Sequence, residues 1–334
     1  MNSFFFAQIR KLGSKLVKYQ ASGGKSAFLQ ARTRPFPTLF PDNVQLACVA
    51  TGFGFTEGPV WNAKENSLLF SDIPASTIFQ LSAAGQVSIF RRPIGNSNGL
   101  TFDIAGRLIA CEHGHRRVTR TEPSGHVTVL TDQFRKRKFN GPNDVVVRSD
   151  GTIYFTDPFY KNMRGVRPHQ REQTIQGVYK IAPSSLVVEA VASDFEKPNG
   201  LAFSPDEKTL YVDDSSNRSH IRAFEVLPDG TLTNGRVFHE MKSQEKGNPD
   251  GMKVDVKGHV YCTGPGGVWV FNSGGQHLGT IVLPEKPANC AWGDDDLRTL
   301  YITAKTSVYA VRVKIPGRNP GSRRKETDEV FDLS

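Results

Sequence analysis

The chain lacks most of the patterns that announce a catalytic mechanism. It has no nucleophile elbow, since its GxSxG match Gly95-Asn96-Ser97-Asn98-Gly99 opens a strand and not a helix, and it has no phosphate-binding P-loop and no HExxH metal helix, which argues against serine-hydrolase, nucleotide-dependent and zincin chemistry. Cysteine is scarce: Cys48, Cys111, Cys262 and Cys290 show no CxxC spacing, so buried reduced thiols are expected rather than a thiolate metal site. No apolar run approaches the ~20 residues of a membrane span. Acidic residues are absent from residues 1–41, which carry seven Lys or Arg; residues 312–334 carry six basic and four acidic side chains. The net charge of +9 therefore sits in the two ends, and the body between them is close to neutral. A basic nucleic-acid-binding face on the folded body is excluded on that ground.

Residues 1–41 read as a basic N-terminal extension. Phe4-Phe5-Phe6 precede Arg10, Lys11, Lys15 and Lys18, an amphipathic basic pattern in which the charges follow the apolar residues, the reverse of a secretory signal. The expectation is a cytoplasmic protein with a solvated extension, residues 1–34 being dispensable; organelle targeting or export through the extension is the alternative. Residues 42–313 form the folded domain and residues 314–334 a polar tail.

What the chain does have is repetition. Six short apolar strands open on Glu57, Asn98, Asn143, Asn199, Asp250 and Asn289, each followed by a polar turn and a second strand, at spacings of roughly 39 to 56 residues, the range of one small sheet per repeat. Turn-rich segments without helical periodicity predict an all-β chain, and six repeats of about four strands predict a six-bladed β-propeller. Val44–Thr51 is placed to close the ring as outer strand of the last blade. Antiparallel order brings the six openings to the same end of a central channel as Asp72, Glu112-His113, Asp157, Asp213-Asp214 and Thr263. A ring of carboxylate and amide oxygens suits a hard cation, and an axial mouth suits a small molecule. The run Arg135-Lys136-Arg137-Lys138 reads as a solvated loop.

The motifs Phe55-Thr56-Glu57-Gly58-Pro59-Val60-Trp61, Gly95-Asn96-Ser97-Asn98-Gly99-Leu100, Cys111-Glu112-His113, Gly141-Pro142-Asn143-Asp144, Phe155-Thr156-Asp157-Pro158, Pro198-Asn199-Gly200-Leu201 and Pro249-Asp250-Gly251-Met252 resemble, in order, the gluconolactonase and senescence marker protein (regucalcin) family, over about residues 50–313. The resemblance implies a propeller with one divalent cation in the channel mouth, held by Glu57, Asn143, Asn199 and Asp250. Animal members carry an Arg before the third-repeat Asn where this chain has Gly141-Pro142, so their sugar contacts do not transfer.

The activity implied is hydrolysis of a sugar lactone such as glucono-1,5-lactone. An all-oxygen set favours Ca²⁺, with Mg²⁺, Mn²⁺ and Zn²⁺ as alternatives. Asp250 is the expected base that activates water, with His113 second. Asn98, His113, Asn143, Asp157 and Asn289 are the expected substrate contacts. A lactonase or arylesterase on another lactone, and a non-catalytic metal-stabilised binding propeller, are the alternatives. Oligomeric state has no signature in the sequence.

Overall fold

Short strands separated by tight turns fold back on themselves as meanders. Ser82-Ala83-Ala84-Gly85 shows the local cause: Gly85 takes φ +79° without steric cost and donates its N–H to Ser82 O at 2.9 Å. The computed structural model describes residues 28–161 and 171–318, together with the backbone of the strand Val17–Tyr19. Its strands form six antiparallel sheets around an axis, an all-β six-bladed propeller. The first blade runs Thr56–Asn62, Ser67–Asp72, Thr77–Ser82 and Val87–Arg91 from axis to rim. Inner strands of the next five blades are Ser97–Phe102, Val145–Val147, Pro198–Phe203, Met252–Val254 and Pro287–Gly293. The basic run is exposed in a hairpin, Gln133–Phe134 with Arg137–Lys138, turned by Arg135 and Lys136 at positive φ and anchored by the buried Phe134.

The ring closes as the sequence predicts. Leu46–Thr51 pairs antiparallel with Ser307–Arg312 as outer strand of the sixth blade, with Ala50 opposite Val308 and Ala47 opposite Ala310. Across the seam between first and sixth blades, Trp61 stacks on Tyr301 with centroids 5.7 Å apart and planes 11° from parallel. Apolar clusters lie between neighbouring blades; Phe139, Phe155 and Tyr179, all fully buried, fill one of them.

The boundaries expected at both ends need correction. Leu29–Ala31 adds a fifth strand to the rim of the fifth blade, opposite Gly279–Ile281, and Val17–Tyr19 adds one to the sixth, opposite Leu46–Cys48. Phe36 and Phe40, 0% and 1% exposed, pack into the cluster that joins the fifth and sixth blades. A Cβ on Gly279 would lie 2.5 Å from the Phe36 ring, so this glycine makes the seat. Residues 28–41 thus belong to the propeller, and removal of residues 1–34 would strip a rim strand. Residues 314–318 also pack on the body: Lys314 N donates to Leu39 O (2.8 Å) and Arg318 Nη1 to Pro205 O (2.8 Å). The Phe4-Phe5-Phe6 segment and the tail from residue 319 lie outside the described residues.

Phe36→Ala opens a cavity between the fifth and sixth blades. It should lower the unfolding free energy by about 3–5 kcal/mol, read from denaturant midpoints; an unchanged midpoint would show that this segment contributes nothing to closure.

Candidate active site at the channel mouth

The inner strands are held at their first residues by the neighbouring blade. Gly99 N donates to Asn143 O (2.8 Å), Gly200 N to Asp250 O (3.0 Å) and Gly251 N to Ala288 O (2.7 Å). Hydroxyls near the ends of the second strands repeat the link: Ser71 Oγ donates to Asn98 O (2.8 Å), Thr156 Oγ1 to Asn199 O (2.7 Å) and Thr263 Oγ1 to Ala288 O (2.8 Å). The strands approach so closely that a Cβ on Gly58, at φ +49°, would lie 1.9 Å from Asn98 O. Backbone groups are consumed by this ring of bonds, which gathers Asn98, Asn143, Asn199 and Asp250 at one mouth, with Glu57 next to the Gly58 close approach.

The same bonds revise the sixth opening. Cys290 pairs with Ile302 as Leu100 pairs with Ala110, Leu201 with Val212 and Met252 with Cys262. Counting back two residues from each places Ala288, not Asn289, level with Asn98, Asn199 and Asp250. Asn289 instead occupies the position of Gly99, Gly200 and Gly251, which Asp144 occupies in the third blade. Its Nδ2 reaches across the ring to Asp144 Oδ2 (3.3 Å), and its Oδ1 accepts from Lys253 Nζ (3.3 Å) and Cys290 N (2.8 Å). Asn289 is buried in this bridge, so the expected substrate contact is corrected to a strut across the ring.

Charge in the mouth is one-sided. Glu57, Asp144 and Asp213 are buried and Asp250 is partly open to solvent. Burial, then the nearby charges of Asp250 and Asp144, hold the Glu57 carboxyl well above the usual range. Burial, reinforced by Asp144 and opposed by Lys286, pushes Asp250 up to about 7. Asp213, whose Oδ1 has no hydrogen-bond partner, is also pushed well up by burial and by Asp250. Lys253 Nζ lies 3.9 Å from Asp144 Oδ2, and among the described residues no ion pair reaches Glu57 or Asp250. Two carboxylates without a direct ion pair, Glu57 accepting from Gly58 N (2.9 Å) and Asp250 with Lys286 as a nearby charge, form with two neutral amides a donor set that fits a hard cation. Among the described residues no three His, Cys, Asp or Glu side chains make a metal-sized cluster, so the amides of Asn143 and Asn199 would complete the shell.

The second-strand carboxylates have a different task. Asp72 accepts from Gly54 N and Phe55 N, Asp157 from Asn140 N (2.9 Å) and Gly141 N (2.7 Å), and Asp214 from Glu196 N and Lys197 N. Each clamps the loop that delivers an inner strand. Asp157 is fully buried with both oxygens engaged, which corrects the expected substrate contact to a loop clamp. His113 does reach the mouth: its Nε2 lies 3.2 Å from Asn98 Nδ2, and burial pushes the imidazole down to about 4, leaving it neutral at pH 7.

Residues 55–306 match the family described as SMP-30/Gluconolactonase/LRE-like region. The chain belongs to this family. It is 31% identical over 291 residues to the gluconolactonase of Zymomonas mobilis, covering 80% of this chain and 81% of that one. The regucalcin of Gallus gallus is 29% identical, covering 78% of this chain and 87% of its own length. Among solved structures, a gluconolactonase from Xanthomonas campestris superposes with a TM-score of 0.80 at 30% identity, covering 89% of this chain and 99% of that one.

Two further residues near the mouth are not legible in the repeat pattern alone. Tyr160 Oη accepts from Asn199 Nδ2 at 2.9 Å, but Tyr160 stands on a connecting loop outside the repeat; the aromatic pair after Asp157-Pro158 was its signal. Lys253 is legible only once the repeats are aligned, as a cation in a ring otherwise made by Val60, Thr101, Val146, Ala202 and Ala291. These six line a mainly apolar cavity of about 110 Å³, with Glu207 and Arg318 also in its wall. Lys253 bridges this cavity and the Asp144–Asn289 strut above it.

Asp157→Ala should leave two buried amides without acceptors and cost about 2–5 kcal/mol of stability, seen as a lower unfolding midpoint. A large rise in KM for lactone at unchanged stability would restore the substrate-contact role.

Proposed function

We propose that the protein hydrolyses sugar lactones such as glucono-1,5-lactone, with a divalent cation, foremost Ca²⁺, held by Glu57, Asn143, Asn199 and Asp250. The observation that carries this reading is the pair of carboxylates, Glu57 and Asp250, that no ion pair reaches among the described residues, at the same end of the ring as the two amides. The named activity of the gluconolactonases from Zymomonas mobilis and Xanthomonas campestris supports it. When bound, the cation acts as a Lewis acid on the lactone carbonyl and helps to orient the attacking water. Mg²⁺, Mn²⁺ and Zn²⁺ are the competing ions.

Asp250 takes the proton as water oxygen bonds to the carbonyl carbon. The bond to the ring oxygen then breaks, and Asp250 returns that proton to the departing oxygen, giving the open hydroxy acid. Asp250 is favoured over His113: burial pushes that imidazole down to about 4, a weak base whose Nε2 already faces Asn98 Nδ2, whereas a carboxylate can hold the cation with one oxygen and take a proton with the other. Bound cation draws Asp250 back down, so its basicity in turnover is lower than in the cation-free chain. Asn98 and the neutral His113 hydrogen-bond each other at the mouth and present polar atoms to substrate hydroxyls.

Asp250→Asn, assayed at saturating Ca²⁺, should lose on the order of 10²–10⁴-fold in turnover, and His113→Gln far less. The reverse pattern would move the base to His113. Retained turnover in both would remove the protein base, and failure of the wild-type chain on a panel of sugar lactones and aryl esters would favour a binding propeller.

A second test follows from linkage. Folded-state carboxyls raised above their unfolded values stabilise the cation-free protein below about pH 4, and that contribution is lost as pH rises through about 7. Protons and cation compete for the same oxygens, so Ca²⁺ should raise the melting temperature more at pH 8 than at pH 5. An equal shift at both pH values would place the ion elsewhere.

A further inference from the structure

An asparagine ligates a cation only through Oδ1, so Asn199 is useful as a ligand only with its amide turned one way. Its Nδ2 donates to Tyr160 Oη at 2.9 Å and lies 3.5 Å from Ser215 Oγ, and the same amide also hydrogen-bonds the Asp250 carboxylate, which favours the same orientation. Tyr160 Oη and Ser215 Oγ are 2.6 Å apart, and Ser215 Oγ lies 3.3 Å from Lys197 O. A carbonyl only accepts; this one takes the Ser215 N–H (2.9 Å) and, on its second lone pair, the Ser215 hydroxyl, and that second bond sets the direction of the chain. The Ser215 hydroxyl gives its hydrogen to Lys197 O and so accepts from Tyr160. Tyr160, its single hydrogen spent, has only lone pairs left for the Asn199 amide. Turning that amide over would set Oδ1 against an oxygen with no hydrogen to give, and would aim an NH₂ group where the cation belongs.

The parts of this chain are themselves held in place. Asn199 and Ser215 are buried, 5% and 6% exposed. The loop that carries Tyr160 is pinned by Phe159 N, which donates to Gln176 Oε1 (2.6 Å), and Lys197 Nζ sits 5.9 Å above the Tyr160 ring. Ser215 also reaches the next blade: its carbonyl accepts from Asn248 Nδ2 at 2.9 Å, two residues before Asp250. One serine thereby ties together the third-blade loop, the Asn199 strand and the approach to Asp250.

We propose that Tyr160 and Ser215 are positioning residues that lock the Asn199 amide with Oδ1 towards the cation, so that cation affinity is set in part by two hydroxyls committed elsewhere. This rests on the cation reading of the site. Outer partners that orient a ligand change metal affinity by about 10–100-fold when removed. Tyr160→Phe deletes the acceptor, and Ser215→Ala frees the Tyr160 hydrogen to turn on Asn199; each should weaken Ca²⁺ binding by about that factor in calorimetric titration with Ca²⁺ alone. Turnover lost at low Ca²⁺ should return as Ca²⁺ is raised, and Ser215→Thr, which keeps the hydroxyl, should retain affinity within a few-fold.

If Tyr160→Phe does not fold, the contrast of Ser215→Ala with Ser215→Thr carries the test. Wild-type Ca²⁺ affinity in both hydroxyl-deleting variants, with binding abolished in Asp250→Asn, overturns the lock and leaves the cation site standing. A rise in KM for lactone at unchanged Ca²⁺ affinity would overturn it too, making Tyr160 a wall of the substrate site. Absence of divalent-cation binding by the wild-type chain would defeat the site reading itself.

Discussion

Asn98, Asn143, Asn199 and Asp250 are placed by one bond type, in which a backbone amide or second-strand hydroxyl of one blade donates to the first carbonyl of the next inner strand. Gly99, Gly200, Gly251, Ser71, Thr156 and Thr263 all act in this way. The bond requires backbones closer than a side chain permits, which is why glycine stands beside Glu57, Asn98, Asn199 and Asp250. Where the glycine is missing, in Asp144 and Asn289, the two side chains use the cleared space to meet across the axis. The polar mouth is thus a product of backbone geometry before it is a product of polar residues.

Crowding carboxylates at such a mouth is costly unless something answers their charge. The chain deals with this in two ways. Asp72, Asp157 and Asp214 are turned on loop amides and act as clamps, satisfied within the fold. Glu57 takes the amide of the residue next to it, Asp250 has the charge of Lys286 near it but no ion pair among the described residues, and Lys253 answers Asp144 beneath them. The distinction between structural and functional carboxylates is therefore made by their partners, since all of them lie at the same end of the ring.

This explains what the sequence revealed and what it hid. Glu57, Asn98, Asn143, Asn199 and Asp250 were legible because each begins a strand with the same apolar follow-on, and the closing strand Val44–Thr51 because a ring needs one. Asn289 was read one residue out of register: Pro287-Ala288-Asn289 offers a polar residue beside the true opening, and only the pairing of Cys290 with Ile302 decides between them. Asp157 was misassigned because a residue type at the right end of a strand does not say whether backbone amides already claim it. The rim strand Leu29–Ala31 was missed because edge pairing uses backbone atoms, which leave little trace in side chains. Tyr160 lies in a loop, where no repeat constrains the residue.

The seam has a consequence for how the protein is made. Leu46–Thr51 finds its partner in Ser307–Arg312, and Thr51 contacts Ser307 across 256 positions of chain. The rim strand of the fifth blade likewise waits for His277–Val282. A ribosome working from the N-terminus therefore emits the closing strands first and their partners last. Blades one to four can form in order as they emerge, while the opening segment, Phe36 and Phe40 included, stays exposed until nearly the whole chain has left the exit tunnel. The ring is completed by its oldest residues, so protection of this segment from aggregation and proteolysis during synthesis becomes a condition for obtaining the mouth at all.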